Sequence, residues 1–179
     1  MRSRYRVNEP SQAHFITSTI VGWLPVFAAS PKCCEILAGS LAYCQREKGL
    51  QVHGWVMMEN HFHAVVAAPE ISAVLADLKK FTAREFLAQL ARERRDWLLD
   101  LLRATKAAHK TRSQAQVWQE GFHPQAIRDD AMMQQKLDYL HANPVRRGWV
   151  AAPEHWRYSS AHEWLATGIE PLLRCDPWK

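Results

Sequence analysis

The stretch Val56-Met57-Met58-Glu59-Asn60-His61-Phe62-His63-Ala64-Val65-Val66 constrains the fold more than any other part of this chain. It reads as a strand, a tight turn around Glu59-Asn60, and a second strand that begins with two histidines. In extended chain, side chains two apart share a face. His61 and His63 therefore project together, and Phe62 points the other way, where an aromatic ring belongs in a core. Imidazole is the commonest side-chain metal ligand, and two of them can begin a divalent-metal site. The same spacing also suits two histidines of an edge strand that face solvent, and spacing alone leaves both readings open.

The elements on either side can be read in order. His14 to Val21, with Ile16, Thr17, Thr19, Ile20 and Val21, predicts a first strand. Trp23-Leu24-Pro25-Val26-Phe27 is an apolar connection broken by Pro25. Pro31 opens a helix whose apolar residues Ile36, Leu37, Leu41 and Cys44 recur at helical spacing, and Gly49 stops it after Lys48. Leu50 to Met58 and His61 to Ala68 form the predicted hairpin. After Pro69, Val74, Leu75, Leu78, Phe81, Phe86, Leu87 and Leu90 predict a helix over 71–90, and helical character continues into 92–112. Residues 103–116 combine basic charge with little apolar content and predict a flexible segment. Val117 to Arg128 predicts a short irregular strand. Asp129-Asp130 is an N-cap signal for a helix that Asn143-Pro144 should end, because the residue before proline disfavours the helical conformation. Trp149-Val150 and Trp156 to Leu165 predict a closing tail with a short last helix. Strand, helix, hairpin, helix, strand is the ferredoxin-like split βαβ order. It predicts an α+β sandwich with an antiparallel sheet, helices on one face, and one further C-terminal helix beside the histidines.

The chain has 179 residues, 47% of them apolar and 23% charged. Those figures suit one domain with a single sizeable core and argue against bulk disorder. No apolar run approaches the roughly 18 residues of a membrane span, and no signal-peptide core follows the basic Met1–Arg6, so a cytoplasmic location is expected. Cys33, Cys34, Cys44 and Cys175 lack the spacing of a zinc site or a disulfide framework and are read as reduced thiols. The formal charge of +5 fits a polyanionic partner. Candidate phosphate contacts are Arg2, Arg4 and Arg6, which alternate in an N-terminal arm over 1–13, and Lys79, Lys80 and Arg84 on the polar side of a helix. A solvated helix face would carry the same charges. Eight tryptophans are numerous for this length, and most are expected in the core, with Trp149 and Tyr5 as candidates for stacking on bases.

Two residues of the late helix stand out. Tyr139 and Asn143 are four apart and share a face. A phenol there has the chemistry of a covalent nucleophile, and an amide oxygen that of a metal ligand. A core-edge tyrosine with its hydroxyl in water and a helix-capping asparagine are the alternatives.

Met57-Met58-Glu59-Asn60-His61-Phe62-His63, followed far along the chain by Asp138-Tyr139-Leu140-His141-Ala142-Asn143-Pro144-Val145-Arg146-Arg147-Gly148-Trp149-Val150, resembles the REP-associated tyrosine transposases, single-tyrosine members of the HUH endonuclease superfamily. The resemblance runs from about Arg4 to Ser160. It takes in His14-Phe15-Ile16-Thr17, Trp23-Leu24-Pro25-Val26-Phe27 and Trp118-Gln119-Glu120-Gly121-Phe122. It implies metal binding by His61, His63 and Asn143, with Mg²⁺ or Mn²⁺ as cofactor, and a nucleophilic Tyr139 that forms a 5′-phosphotyrosine on hairpin-forming single-stranded DNA. Arg146 and Arg147 join the implied DNA contacts. The relatives imply either a monomer or a homodimer. Two departures are visible: family members usually carry proline where Glu59 stands, and the 92–116 stretch is longer than usual.

Overall fold

The computed structural model describes residues 12–109, 113–121 and 124–178. Four strands, β1 (His14–Thr19), β2 (Gln51–Met57), β3 (His61–Ala67) and β4 (Gln125–Ala126), form one sheet in the order β2-β3-β1-β4. Each neighbouring pair is antiparallel. This is the α+β split βαβ arrangement expected from the element order, and it places β3, with its two histidines, in the interior of the sheet rather than at an edge.

Alternation along the strands divides the side chains between two faces. On the first, Ile16, Trp55, Met57, Phe62, Ala64 and Val66 pack against two long helices, α2 (Pro31–Lys48) and α3 (Ile71–Arg92). Leu37 and Leu41 come from α2, and Leu75, Leu78, Phe86 and Leu90 from α3. Before α2 lies a short helix, α1 (Val26–Ala29). Pro31 sits in the first turn of α2, and Gly49 ends it in the left-handed region at φ 62°, where glycine avoids the Cβ clash. On the second face, Val56, Met58, Val65 and Ala67 meet Met133, Leu137 and Leu140 of a single helix, α5 (Asp130–Arg146).

Two local devices set the second face. A β-bulge between Val52 and Gly54 shifts the register of β2 against β3. It explains how Val52 and Trp55, three apart, both reach the first core. It also turns Gly54 under α5. A Cβ on Gly54 would lie only 2.3 Å from Leu137 Cδ2 and 3.3 Å from Leu140 Cδ1, so the missing side chain is what lets the helix settle on the sheet.

Several expectations are corrected. The helix expected to run on through residue 112 breaks after Arg92. Arg94 takes a positive φ of 57°, and a separate helix, α4 (Asp96–Ala104), turns Leu98, Leu99 and Leu102 into the core. Continuing α3 straight would have left those leucines in solvent. The expected strand at 117–128 shrinks to an isolated Ile20–Trp118 bridge and the two residues of β4. Asn143-Pro144 does not end α5, which continues to Arg146 with Pro144 buried inside it. The side chain of Asn143 donates to the Tyr139 carbonyl at 2.9 Å, and the Pro144 carbonyl accepts from Trp149 N at 3.0 Å, so the turn around the proline is held by other donors. The tryptophans are not mostly core: Trp55 and Trp118 are buried, while Trp23, Trp97, Trp149 and Trp164 are exposed. The short last helix, α6 (Ala161–Trp164), is where the tail pattern puts it. The described part of the 103–116 segment is tied back through Gln116, which is buried, donates its N–H to the Leu102 carbonyl and accepts from Ala107 N. All four cysteines are free. Burial pushes the thiols up, to about 11 for Cys33 and about 12 for Cys34 and Cys175, which keeps them protonated and unreactive.

Candidate active site

The second face of the sheet carries the two imidazoles. Their ring centroids are 4.7 Å apart and inclined at 76°, and each residue is only 7% exposed. Each ring is fixed at one nitrogen. Asn60 donates its amide Nδ2 to the Trp23 carbonyl at 3.0 Å, which turns its Oδ1 toward His61 Nδ1 at 2.7 Å. An amide oxygen only accepts, so His61 carries its proton on Nδ1 and presents a lone pair at Nε2. His63 Nδ1 lies 2.7 Å from Thr17 Oγ1, its cross-strand partner in the β1–β3 register. This is the outer-shell arrangement that orients metal-binding histidines. Burial holds both rings below the ordinary imidazole range. His63 falls to about 3, from desolvation first and the neighbouring His61 second. His61 is lowered by desolvation and by Arg147, against the opposing pull of Glu59. Both are therefore neutral at neutral pH, the form that can bind a cation.

Helix α5 brings the tyrosine to the same place. Asp129 caps its start by accepting from Met132 N at 2.8 Å. The apolar stripe Met133, Leu137 and Leu140 seats it on the sheet. The adjoining stripe, Lys136, Tyr139, Asn143 and Arg146, then runs along the border of the contact at helical spacing. The Tyr139 ring lies 5.5 Å from His63 and 5.8 Å from Phe15, edge-on to both, while Phe15 stacks on His63 at 5.4 Å. Tyr139 is 37% exposed, so its hydroxyl-bearing ring is both anchored and reachable. Arg146 Cζ lies 5.7 Å over that ring, and Lys136 Nζ 4.9 Å over Phe15. Asn143 spends its amide donor on the Tyr139 carbonyl, which leaves Oδ1 for another partner. Among the described residues, no cluster of three or more His, Cys, Asp or Glu side chains is arranged to hold a metal.

The basic residues divide. Arg146 and Arg147 sit at the end of α5 beside the site, where Arg147 also faces Glu59 at 3.9 Å. Lys79, Lys80 and Arg84 belong to α3, on the other side of the sheet. Burial lowers the ammonium of Lys79 below its usual range, while Lys80 and Arg84 are exposed. Arg2, Arg4, Arg6 and Tyr5 lie outside the described residues. Sequence reasoning missed Thr17, Asn60, Phe15 and Trp23. The period-2 pattern of β1 was enough to put Phe15 and Thr17 on one face, but not to put that face opposite His63. Trp23 is 59% exposed with φ 56°, an unusual backbone state for a bulky residue, and its ring lies 6.1 Å from His61.

Fold and site together define an α+β protein in which a helix-borne tyrosine meets one of two paired imidazoles on one face of an antiparallel sheet. The chain is similar in sequence and in fold to REP-associated tyrosine transposases, as its motifs suggested. It is 21% identical over 138 residues to the REP-associated tyrosine transposase of Escherichia coli (strain K12), a match that covers 77% of this chain and 70% of that protein. It is 30% identical over 115 residues to a protein of Haemophilus influenzae named as a putative REP-associated tyrosine transposase, covering 64% of this chain and 61% of the relative. The solved structure of a REP-associated tyrosine transposase bound to a REP hairpin superposes with a TM-score of 0.67 at 19% identity, over 99% of this chain and 93% of that one. No family model matches the chain. Among the described residues, no helix is long and apolar enough to cross a membrane.

Proposed function

We propose that this chain is a nicking and joining enzyme for single-stranded, hairpin-forming DNA, of the transposase type, with Tyr139 as its nucleophile. The observation that carries the reading is the meeting of the partly exposed Tyr139 ring with His63, whose ring lies 4.7 Å from that of His61. The hairpin bound by the similar solved protein supports the choice of substrate.

Tyr139 Oη attacks the scissile phosphorus, the P–O3′ bond breaks, and the departing oxygen takes a proton to become a free 3′-hydroxyl. The 5′-phosphate stays on the tyrosine. The phosphoester is kept rather than hydrolysed, so a later 3′-hydroxyl reverses the step and rejoins strands without another energy source. His61 Nε2, His63 Nε2 and Asn143 Oδ1 are the groups that would hold Mg²⁺ or Mn²⁺. The two imidazoles suit a cation, because both are neutral and the Asn60 contact leaves His61 Nε2 with a free lone pair, and the amide donor of Asn143 is engaged at the Tyr139 carbonyl, which leaves its Oδ1 to accept. A bound cation supplies positive charge against the phosphate oxygens as negative charge builds up. Neutral imidazoles and an amide leave that charge undiminished. Arg146 and Arg147, beside the tyrosine, draw the backbone phosphates to the site. The exposed Trp23 offers a stacking surface next to His61. Lys79, Lys80 and Arg84 would meet only DNA that continues round to the α3 side, as would an N-terminal arm carrying Arg2, Arg4 and Arg6 if it contributes from elsewhere.

The test is a denaturing gel of end-labelled hairpin DNA incubated with the protein and Mn²⁺. A covalent adduct that disappears in Tyr139→Phe is the expected result. Cleavage that survives Tyr139→Phe would mean a nuclease using water, and binding without any cleavage would mean a non-catalytic relic of the fold. Light scattering on the purified chain separates monomer from homodimer.

A further inference from the structure

Beside the Glu59 turn that leads into His61 lies a recess built differently from the histidine site. It has a volume of about 320 Å³ and is lined by apolar and aromatic side chains, among them Phe27, Met58, Trp149, Trp156 and Tyr158, with one charged residue, Glu59. That volume is at the small end of the range for ligand pockets, roughly 300–1,000 Å³. We propose that this recess takes an unpaired nucleobase of the substrate strand, one bearing an exocyclic amino group, stacked among Trp149, Trp156 and Tyr158 and hydrogen-bonded to the Glu59 carboxylate. The proposal rests on the single-strand DNA reading above and adds one base-specific contact to it.

The carboxylate is the first argument. Glu59 Oε2 is buried with no hydrogen-bond partner. Among the described residues, its other oxygen faces Arg147 Nη2 at a long 3.9 Å. A buried, unpartnered carboxylate oxygen is costly unless something meets it. It does not complete a metal set, because no group of three His, Cys, Asp or Glu side chains among the described residues could hold an ion. The turn does not need it either. Backbone atoms hold that turn: the Glu59 carbonyl accepts from Phe27 N at 3.0 Å and from Ala28 N at 3.4 Å, the Asn60 carbonyl from Ile20 N at 2.8 Å, and Met58 N donates to the His61 carbonyl at 2.8 Å. The acid is thus spare for a ligand.

The walls are the second argument. Trp156 donates Nε1 to the Met57 carbonyl at 2.9 Å, and the Tyr158 carbonyl accepts from Met57 N at 2.8 Å. The first bond fixes the Trp156 ring on β2, and the second ties the Tyr158 backbone beside it. Their centroids are 5.7 Å apart at 74°, and Trp149 leans on Trp156 at 5.1 Å and 42°. Trp149 is 39% exposed and follows Gly148, which takes φ 70°. One fixed indole, a tyrosine ring edge-on to it and one exposed indole around a carboxylate suit a flat, partly polar ring better than an extended peptide. Every base has a π-face for such walls. A carboxylate only accepts, so it favours the amino groups of cytosine, adenine or guanine. Thymine offers a single imide N–H flanked by two carbonyl oxygens that repel the acid. Glu59 is two residues from His61, so the base read here lies close along the strand to the phosphate held at the histidines.

The experiment uses the full chain carrying Tyr139→Phe, in chelator, so that only binding is read. Fluorescence anisotropy is measured on hairpins with a single-stranded flank, each unpaired position being varied in turn. The expected result is one position at which thymine weakens binding about tenfold against the best amino-bearing base. Glu59→Gln, whose amide both donates and accepts, should shrink that ratio to about twofold or less, and Trp149→Ala should weaken all bases there alike. In the Glu59-containing protein, 2-aminopurine at that position should be quenched on binding, a readout that does not depend on how any recess variant folds. Hairpin binding with no discriminating position, a preference unchanged in Glu59→Gln, or 2-aminopurine that brightens on binding would overturn the proposal while leaving the DNA reading intact. Absence of any hairpin binding would overturn both.

Discussion

Phe62 and His63 are neighbours on one strand and serve opposite faces of one sheet. The Phe62 face is closed: α2, α3 and α4 cover it with side chains that leave almost no surface exposed. The His63 face is half closed. One helix covers part of it with Met133, Leu137 and Leu140, and beyond that helix's edge the polar groups begin. The contrast shows where each kind of free energy resides. On the first face, burial of apolar area stabilises the fold. On the second, the same alternation places desolvated imidazoles beside a partly exposed phenol, the kind of perturbed cluster that marks a candidate functional site.

This division can be broken by paired substitutions. Phe62→Ala should cost about 3–5 kcal/mol in urea denaturation, because a fully buried ring leaves a cavity. His63→Gln should cost under about 2 kcal/mol yet lower Mn²⁺-dependent adduct formation about a hundredfold or more. If His63→Gln instead unfolded the protein while Phe62→Ala stayed folded, the assignment of the two faces would be reversed. Gly54→Ala probes the join between them. The added methyl meets Leu137 and Leu140, so a loss of about 1–3 kcal/mol is expected from overpacking, with adduct yield falling further than stability as α5 and its tyrosine are pushed outward. An unchanged yield at reduced stability would show that the placement of Tyr139 tolerates movement of the helix.

The smallest effect concerns pH. His141 of α5 approaches Ser160 Oγ at 2.9 Å, and that hydroxyl is bonded in turn to both the N–H and the carbonyl of Trp55. Burial lowers His141 from 6.5 to about 4, against a weaker upward pull from Asp138. The folded pKa is depressed, so between about 6.5 and 4 the unfolded chain binds the extra proton and the folded one resists it. Stability should therefore hold steady above that window and decline as pH falls through it. In His141→Gln the decline in the urea midpoint between pH 7 and pH 4 should be shallower. An equally steep decline would assign the pH dependence to other groups, such as His63.

The hairpin, the two long helices and the split βαβ order were legible because each rests on local periodicity: Phe62 between two histidines, Leu37 with Leu41 and Cys44, Val74 with Leu78. The candidates Tyr139 and Asn143 were legible as a pair on one helical face. Boundaries decided by burial were not. Leu98, Leu99 and Leu102 favour helix wherever they stand, so nothing local announced the break at Arg94 that turns them inward. Pro144 is a local stop signal overridden by the contacts on either side of it. The tryptophans misled for a related reason: hydrophobicity says a ring is better buried, but only the packed chain decides which rings find room.

The order of residues by itself determined that two imidazoles share one side of a strand, that an apolar ring holds them from behind, and that a tyrosine and an amide stand one turn apart on a late helix. These follow from the repeat distances of extended and helical backbone, which every residue carries with it. Only the tertiary structure decided that the two pieces meet. That outcome depends on a bulge in β2, on the missing side chain of Gly54 and on the seating of Leu137, contacts between residues some eighty positions apart that no local rule encodes.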